Sequence, residues 1–191
     1  MRFLFLLLGV MFLVFLVMVS FKGRVRFVFL RSMRQYRWRR ELGIMLREAA
    51  KFFPELDDET IYVGVLDGPE THLGRADSVN NIVFFNPKVR PSYVVVFHEL
   101  AHLVVAKLRR EGVNVPKTEE YISVFACARM PNELFDTDHL AYIYEPIPKE
   151  HTHKIPDLCR EALRYREHRR DYIKYLRNRI KQLCGGDGRE G

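Results

Sequence analysis

Cysteine is scarce in this chain of 191 residues: Cys127, Cys159 and Cys184 are the three, and no Cys-x-x-Cys pair occurs. An odd, scattered set excludes a disulfide framework, and none of the three has metal-ligand spacing. Acidic residues are absent from the start of the chain, where no Asp or Glu precedes Glu41. No internal repeat or low-complexity tract is present, which excludes a solenoid. A groove-reading motif is lacking as well, and this argues against nucleic acid as a partner. What is plentiful is positive charge: 31 Lys and Arg face 24 Asp and Glu, for a net charge of +7. The excess sits at the two ends, whereas acids outnumber bases between Phe53 and Glu150.

There is one long hydrophobic run, Phe3 to Phe21, uncharged throughout. As a helix it would span roughly 28 Å, close to the hydrocarbon thickness of a bilayer. Its end, Val-Met-Val-Ser-Phe, lacks a small-x-small cleavage site. Residues 1–21 are therefore expected to be a transmembrane anchor, with a cleaved signal peptide and a secreted product as the rival reading. Only Arg2 precedes the run, while Lys22, Arg24, Arg26, Arg31, Arg34, Arg37, Arg39 and Arg40 follow it. The positive-inside rule then predicts a single-pass membrane protein with its domain in the cytoplasm. Residues 22–40 would lie on anionic lipid, with Phe27 to Leu30 and Trp38 dipping into the interface. At the other end, Leu158, Ala162, Tyr165, Tyr172, Leu176, Ile180 and Leu183 recur at helical spacing amid Arg and Lys. They predict one long basic amphipathic helix within 154–184, solvated or docked on a membrane or acidic partner. Residues 185–191 read as a frayed tail.

The chemistry is concentrated in His98-Glu99-Leu100-Ala101-His102, a His-Glu-x-x-His pattern. On a helix, positions i and i+4 share a face, so His98 and His102 point two imidazoles at one place. Glu99 sits beside them, where it can act as general base on a water at the metal. The context suits a helix. Asn81 to Phe85 reads as a strand ended by Asn86-Pro87, Pro91 suits a first helical turn, and the apolar run from Ser92 to Arg110 stops before Gly112. The valines permit a strand over Tyr93 to Phe97, but residues apolar almost all around favour a buried helix.

A catalytic zinc site needs three protein ligands and an open position. Val105 and Leu108 stand where a metzincin has Gly and His, and no third histidine appears before His139. Glu119 and Glu120 are the next candidates, opening a helix that Thr118 caps and Pro131 ends. Either one could bind metal while the other complements the helix dipole. His-Glu-x-x-His followed by Glu on the next helix resembles the gluzincins, and the short gap and Met130-Pro131 ending resemble the minimal ImmA/IrrE-like metallopeptidases over residues 60 to 132. SprT-like and Ste24-like peptidases share the first motif. Aligned on Met130-Pro131, the resemblance implies Glu120 as the third ligand, although Tyr121-Ile122 departs from the family's Ala-Asn.

The resemblance implies an α+β, zincin-like domain over 41–153, with helices packed on a short, mostly antiparallel sheet. Tyr36 to Phe53 predicts a helix with Leu42, Ile44, Met45, Ala49 and Phe52 inward, and Glu59 to Leu66 a strand. Residues 71 to 79 are a short strand or a loop, and Pro131 to His153 a loop over the cleft. The expectation is a membrane-anchored zinc (Zn2+) metallopeptidase cutting a peptide or protein substrate. His98, His102 and Glu120 hold the metal and Glu99 is catalytic. Strand Asn81 to Phe85 serves as the edge that pairs with an extended substrate. His139, Tyr121, His151 and His153 are candidates to stabilise the oxyanion. The alternative is a membrane-tethered interaction protein with a non-catalytic domain of the same shape.

Overall fold

The computed structural model describes residues 24–67, 72–136 and 147–185. Its strands are β1 (Arg26–Phe29), β2 (Thr60–Val65), β3 (Gly74–Asp77) and β4 (Ile82–Phe85). Its α-helices are α1 (Arg39–Ala50), α2 (Tyr93–Arg110), α3 (Glu119–Arg129), α4 (Ile155–Arg166) and α5 (Tyr172–Gly185). The class is α+β, but the sheet is not the mostly antiparallel one expected. Its order is β1-β2-β4-β3, with β1, β2 and β4 parallel and β3 alone antiparallel, at one edge. The reason lies in the connections. A helix bridges β1 to β2, and a parallel neighbour needs such a long crossover.

The pleat explains which side chains face the helices. Val63 pairs with Phe29 on one side and Val83 on the other, and Val83 pairs with Ala76. Val63 and Val83 are fully buried, with Ile61 and Phe85 on the same face. Tyr62, one residue out of phase, is exposed. Phe53, Phe97 and Phe125 extend this core, Phe97 and Phe125 each packing on Phe53.

The polybasic stretch is part of the domain. Residues 26–29 form β1, Met33 and Tyr36 are buried, and Phe27, Phe29 and Trp38 pack against the core. These aromatics, expected in a lipid interface, are taken up by the sheet and α1. Among the described residues no helix is long and apolar enough to cross a membrane. The run 3–21, on which the anchor rested, lies outside the described residues. The single-pass membrane architecture, and the cytoplasmic placement drawn from it, therefore has no support in the structure.

Other expectations shift for local reasons. Ile44 is half exposed, because it lies two residues from the inward-facing Leu42 and so across the helix from it. The long C-terminal helix is two helices. No apolar residue falls between Tyr165 and Tyr172, and the chain turns back there. Tyr172, Leu176 and Ile180 can then bury, with Tyr165 and Tyr175 stacked at 4.2 Å.

Helix α2 is the centre of the fold. Burial of Val96, Phe97, Leu100, Ala101, Leu103, Val104 and Val105 outweighs the weak helix propensity of its valines. Pro91 lies just outside it, since Ser92 is the N-cap and its Oγ accepts from Val95 N–H at 3.3 Å. Asp136 takes the first two amides, accepting from Tyr93 N–H at 2.8 Å and Val94 N–H at 3.2 Å. Gly112, at φ +85°, supplies the left-handed residue that ends the helix.

Candidate metal centre

Helices α2 and α3 pack face to face, and their polar positions meet at one end. Four-residue spacing on α2 brings His98 and His102 together, with rings 4.8 Å apart and nearly perpendicular. Thr118 caps α3, its Oγ1 accepting from Tyr121 N–H at 3.4 Å, and this sets the first turn against the histidines. Glu119 is the glutamate that reaches them. Its Oε2 lies 3.2 Å from His98 Nε2 and 3.3 Å from His102 Nε2, and the two Nε2 atoms are 3.1 Å apart. Glu120, expected from the family alignment, is not in this group. Neighbouring residues on a helix point about 100° apart. Burial is what chiefly raises the Tyr172 hydroxyl on α5, and the charge of Glu120 adds the smallest of the influences on it.

This triangle fits a metal ion. Four-coordinate tetrahedral zinc has bonds of about 2.0–2.1 Å to nitrogen and oxygen, which puts its ligand atoms about 3.3 Å from one another. The three edges here are within 0.2 Å of that value. Protonation suits ligation as well. The hydrogen bond from His98 holds the Glu119 carboxyl below the usual range, against the opposing effect of its own burial. Burial, then the charge of His98, holds His102 down. An ionised carboxylate and a neutral His102 imidazole are the forms that bind metal, and the proton His98 Nε2 shares with Glu119 is the one a metal would displace. Among the described residues nothing closes the group on one side, where the Glu119 side chain is 44% exposed.

Glu99 lies next to the triangle and is 4% exposed. Its Oε2 is buried without a hydrogen-bond partner. Desolvation, followed by repulsion from Glu119, pushes its carboxyl up to about 8. An orphaned buried carboxylate is costly, and a neighbouring cation is what would offset that cost. Its other side rests on β3. A Cβ placed on Gly74 would sit 2.6 Å from Glu99 Oε1 and 2.9 Å from Cγ. Gly74 is therefore the space that holds this carboxylate, a role no sequence motif signals.

The strand beside the site is β3, not the expected Asn81 to Phe85, which is the interior strand β4. Asn86 N–H donates to the Leu73 carbonyl at 3.1 Å. Alternate residues of an antiparallel strand bond to its partner. Leu73, Arg75 and Asp77 therefore pair with β4, and Gly74 and Ala76 turn their peptide groups to the open edge.

A further contact escaped the sequence. Ser123 Oγ lies 3.3 Å from His98 Nδ1. The candidate oxyanion residues are elsewhere or uncommitted to the site. Tyr121 is buried, with Phe125 stacked on it, Tyr172 at its edge and Arg166 over its face. His151 and His153 lie on a 3-10 turn, Lys149–Lys154, and neither joins the metal group. His139 falls outside the described residues, as does much of the loop expected over the cleft. Cys127 is buried, as its place on an apolar helix predicts.

No protein-family model, no curated protein and no solved structure matches this chain. What the geometry establishes is a His98, His102 and Glu119 group that could hold a metal ion.

Proposed function

We propose that the protein is a zinc-dependent metallopeptidase of gluzincin type. The observation that carries this reading is the triangle of His98 Nε2, His102 Nε2 and Glu119 Oε2, with edges of 3.1 to 3.3 Å, beside the buried Glu99. Two histidines and a glutamate are a donor set of catalytic zinc, and the open side leaves room for a fourth ligand. Zinc held there would supply Lewis acidity toward the attacking water and toward the scissile carbonyl.

The chain's own residues do the rest. Glu99 takes the proton of the attacking water and returns it to the leaving amine, a contribution of about 10²–10⁴ in rate. Its burial raises its affinity for a proton, and a cation at the triangle would bring it back to the ionised form a base needs. Gly74 fixes where the carboxylate lies. The outward peptide groups of Gly74 and Ala76 offer hydrogen bonds to an extended peptide or protein substrate, added as a further strand. The open edge thus binds and orients, and the helices position the groups that react.

The test uses the full chain, its metal content and its hydrolysis of a mixture of synthetic peptides. Purified protein should carry about one zinc per chain. Glu99→Gln should keep the zinc and lose hydrolysis. Protein without stoichiometric zinc would overturn the reading in favour of a non-catalytic interaction domain, and a Glu99→Gln variant with full activity would overturn the role of Glu99 as the base.

A further inference from the structure

Among the described residues, Asn86, Glu99 and Ser123 are the buried polar or charged ones. Asn86 is accounted for by its loop, its Nδ2 donating to the His72 carbonyl at 2.8 Å and its Oδ1 accepting from Lys88 N–H at 2.9 Å. Glu99 belongs to the site. Ser123 is 3% exposed, on a helix that otherwise buries Tyr121, Ile122, Val124, Phe125, Ala126, Cys127 and Ala128. A hydroxyl in such a place is unfavourable unless it is hydrogen-bonded. Its Oγ lies 3.3 Å from His98 Nδ1.

Spacing explains how it arrives there. Ser123 is four residues beyond Glu119, on the same face of α3, just as His102 is four beyond His98 on α2. The two helices therefore present two pairs to each other. Glu119 meets the Nε2 edge of the His98 ring and Ser123 meets its Nδ1 edge. An imidazole can give a metal its Nε2 lone pair only when the proton is on Nδ1, and the partner of Nδ1 sets that tautomer and the ring's orientation.

We infer that Ser123 is a positioning residue for the metal site: its Oγ accepts a hydrogen bond from His98 Nδ1–H and so holds Nε2 as the ligand atom. This rests on the metal reading above. The hydroxyl is uncharged, so it orients the ring without adding a third negative charge to Glu119 and Glu99. It touches neither substrate nor metal, and its effect passes through His98.

Threonine and valine have the same shape, and only threonine has the hydroxyl, so Ser123→Thr and Ser123→Val separate the hydrogen bond from packing. Zinc affinity of the full chain is measured by competition with a chromogenic zinc chelator. The His98 ring nitrogens are followed by 15N NMR of the zinc-loaded protein. Loss of such an outer contact weakens metal binding about 10- to 100-fold. Ser123→Val should show that loss and a shifted Nδ1 resonance, and Ser123→Thr should restore both toward wild type. Equal zinc affinity and an unmoved Nδ1 resonance in wild type and Ser123→Val would overturn the inference while leaving the metal reading intact. A wild-type protein that binds no zinc would overturn both.

Discussion

Replacing Gly74 with alanine tests the closest approach in the site. The added Cβ would stand 2.6 Å from Glu99 Oε1, 2.9 Å from Cγ and 3.0 Å from Cδ. An ordinary contact begins at 3.4 Å, so the carboxylate must move by nearly 1 Å or the edge strand must give way. A displacement of that size at a reacting group costs on the order of 100-fold in rate. Overpacking itself costs about 1–3 kcal/mol of stability. Gly64→Ala is the matched control. Its Cβ would meet the Phe84 ring at 2.8 Å, a similar overlap on the sheet's other face. Both variants should lower the melting temperature. Only Gly74→Ala should lower turnover of a cleaved peptide, and it should do so with zinc content unchanged, because Glu99 is not a ligand. If the two variants lose turnover equally, or if Gly74→Ala keeps wild-type turnover, the positioning of Glu99 by the edge strand is wrong.

Glu119→Ala should abolish stoichiometric zinc and Glu120→Ala should retain it, as read by mass spectrometry of the native protein; the reverse pattern would restore the family-based assignment. In metal-free protein Glu99 binds its proton more tightly folded than unfolded. Its contribution to stability is therefore complete below its ordinary value of 4.5 and is lost as pH rises toward about 8. Denaturant titrations of chelator-treated protein should show that slope, and Glu99→Gln should flatten it; an unchanged slope would refute the burial argument. Arg160 donates to the Ala128 and Met130 carbonyls and to Asn132 Oδ1 and Asp157 Oδ1. Arg160→Ala leaves the end of α3 unsatisfied and should cost about 1–3 kcal/mol in chemical denaturation, with zinc affinity unchanged.

The legible parts of the site were those encoded by local periodicity. Two histidines four apart on an apolar helix must share a face, and Thr118 before two glutamates is a local cap. The choice between Glu119 and Glu120 is not local. The two differ by one helical step, and the packing of α3 on α2 decides which turns inward. The sheet was harder to read because β3 is Gly-Arg-Ala-Asp, with none of the branched or aromatic residues that mark a strand. Asn81 to Phe85 carries that signal strongly because it is interior, which made it a poor choice for an edge. Ser123 and Gly74 each looked unremarkable in sequence, and their roles come from residues far along the chain. The basic segment misled through composition: its arginines are exposed, but the aromatics between them are held by the domain.

The described sheet ends in two strands with an unpaired side, β1 and β3, and an extended chain can add to either in principle. They are not equivalent. β3 offers Gly74, which lies against Glu99, and Ala76, with little side chain in the way. β1 alternates Arg26, Phe27, Val28 and Phe29 and follows Arg24, and both arginines are exposed. A second copy approaching β1 edge to edge would bring like charges together. Among the described residues, the arrangement guards the strand that has no use for a partner against aggregation, and leaves uncovered the one that lies against Glu99.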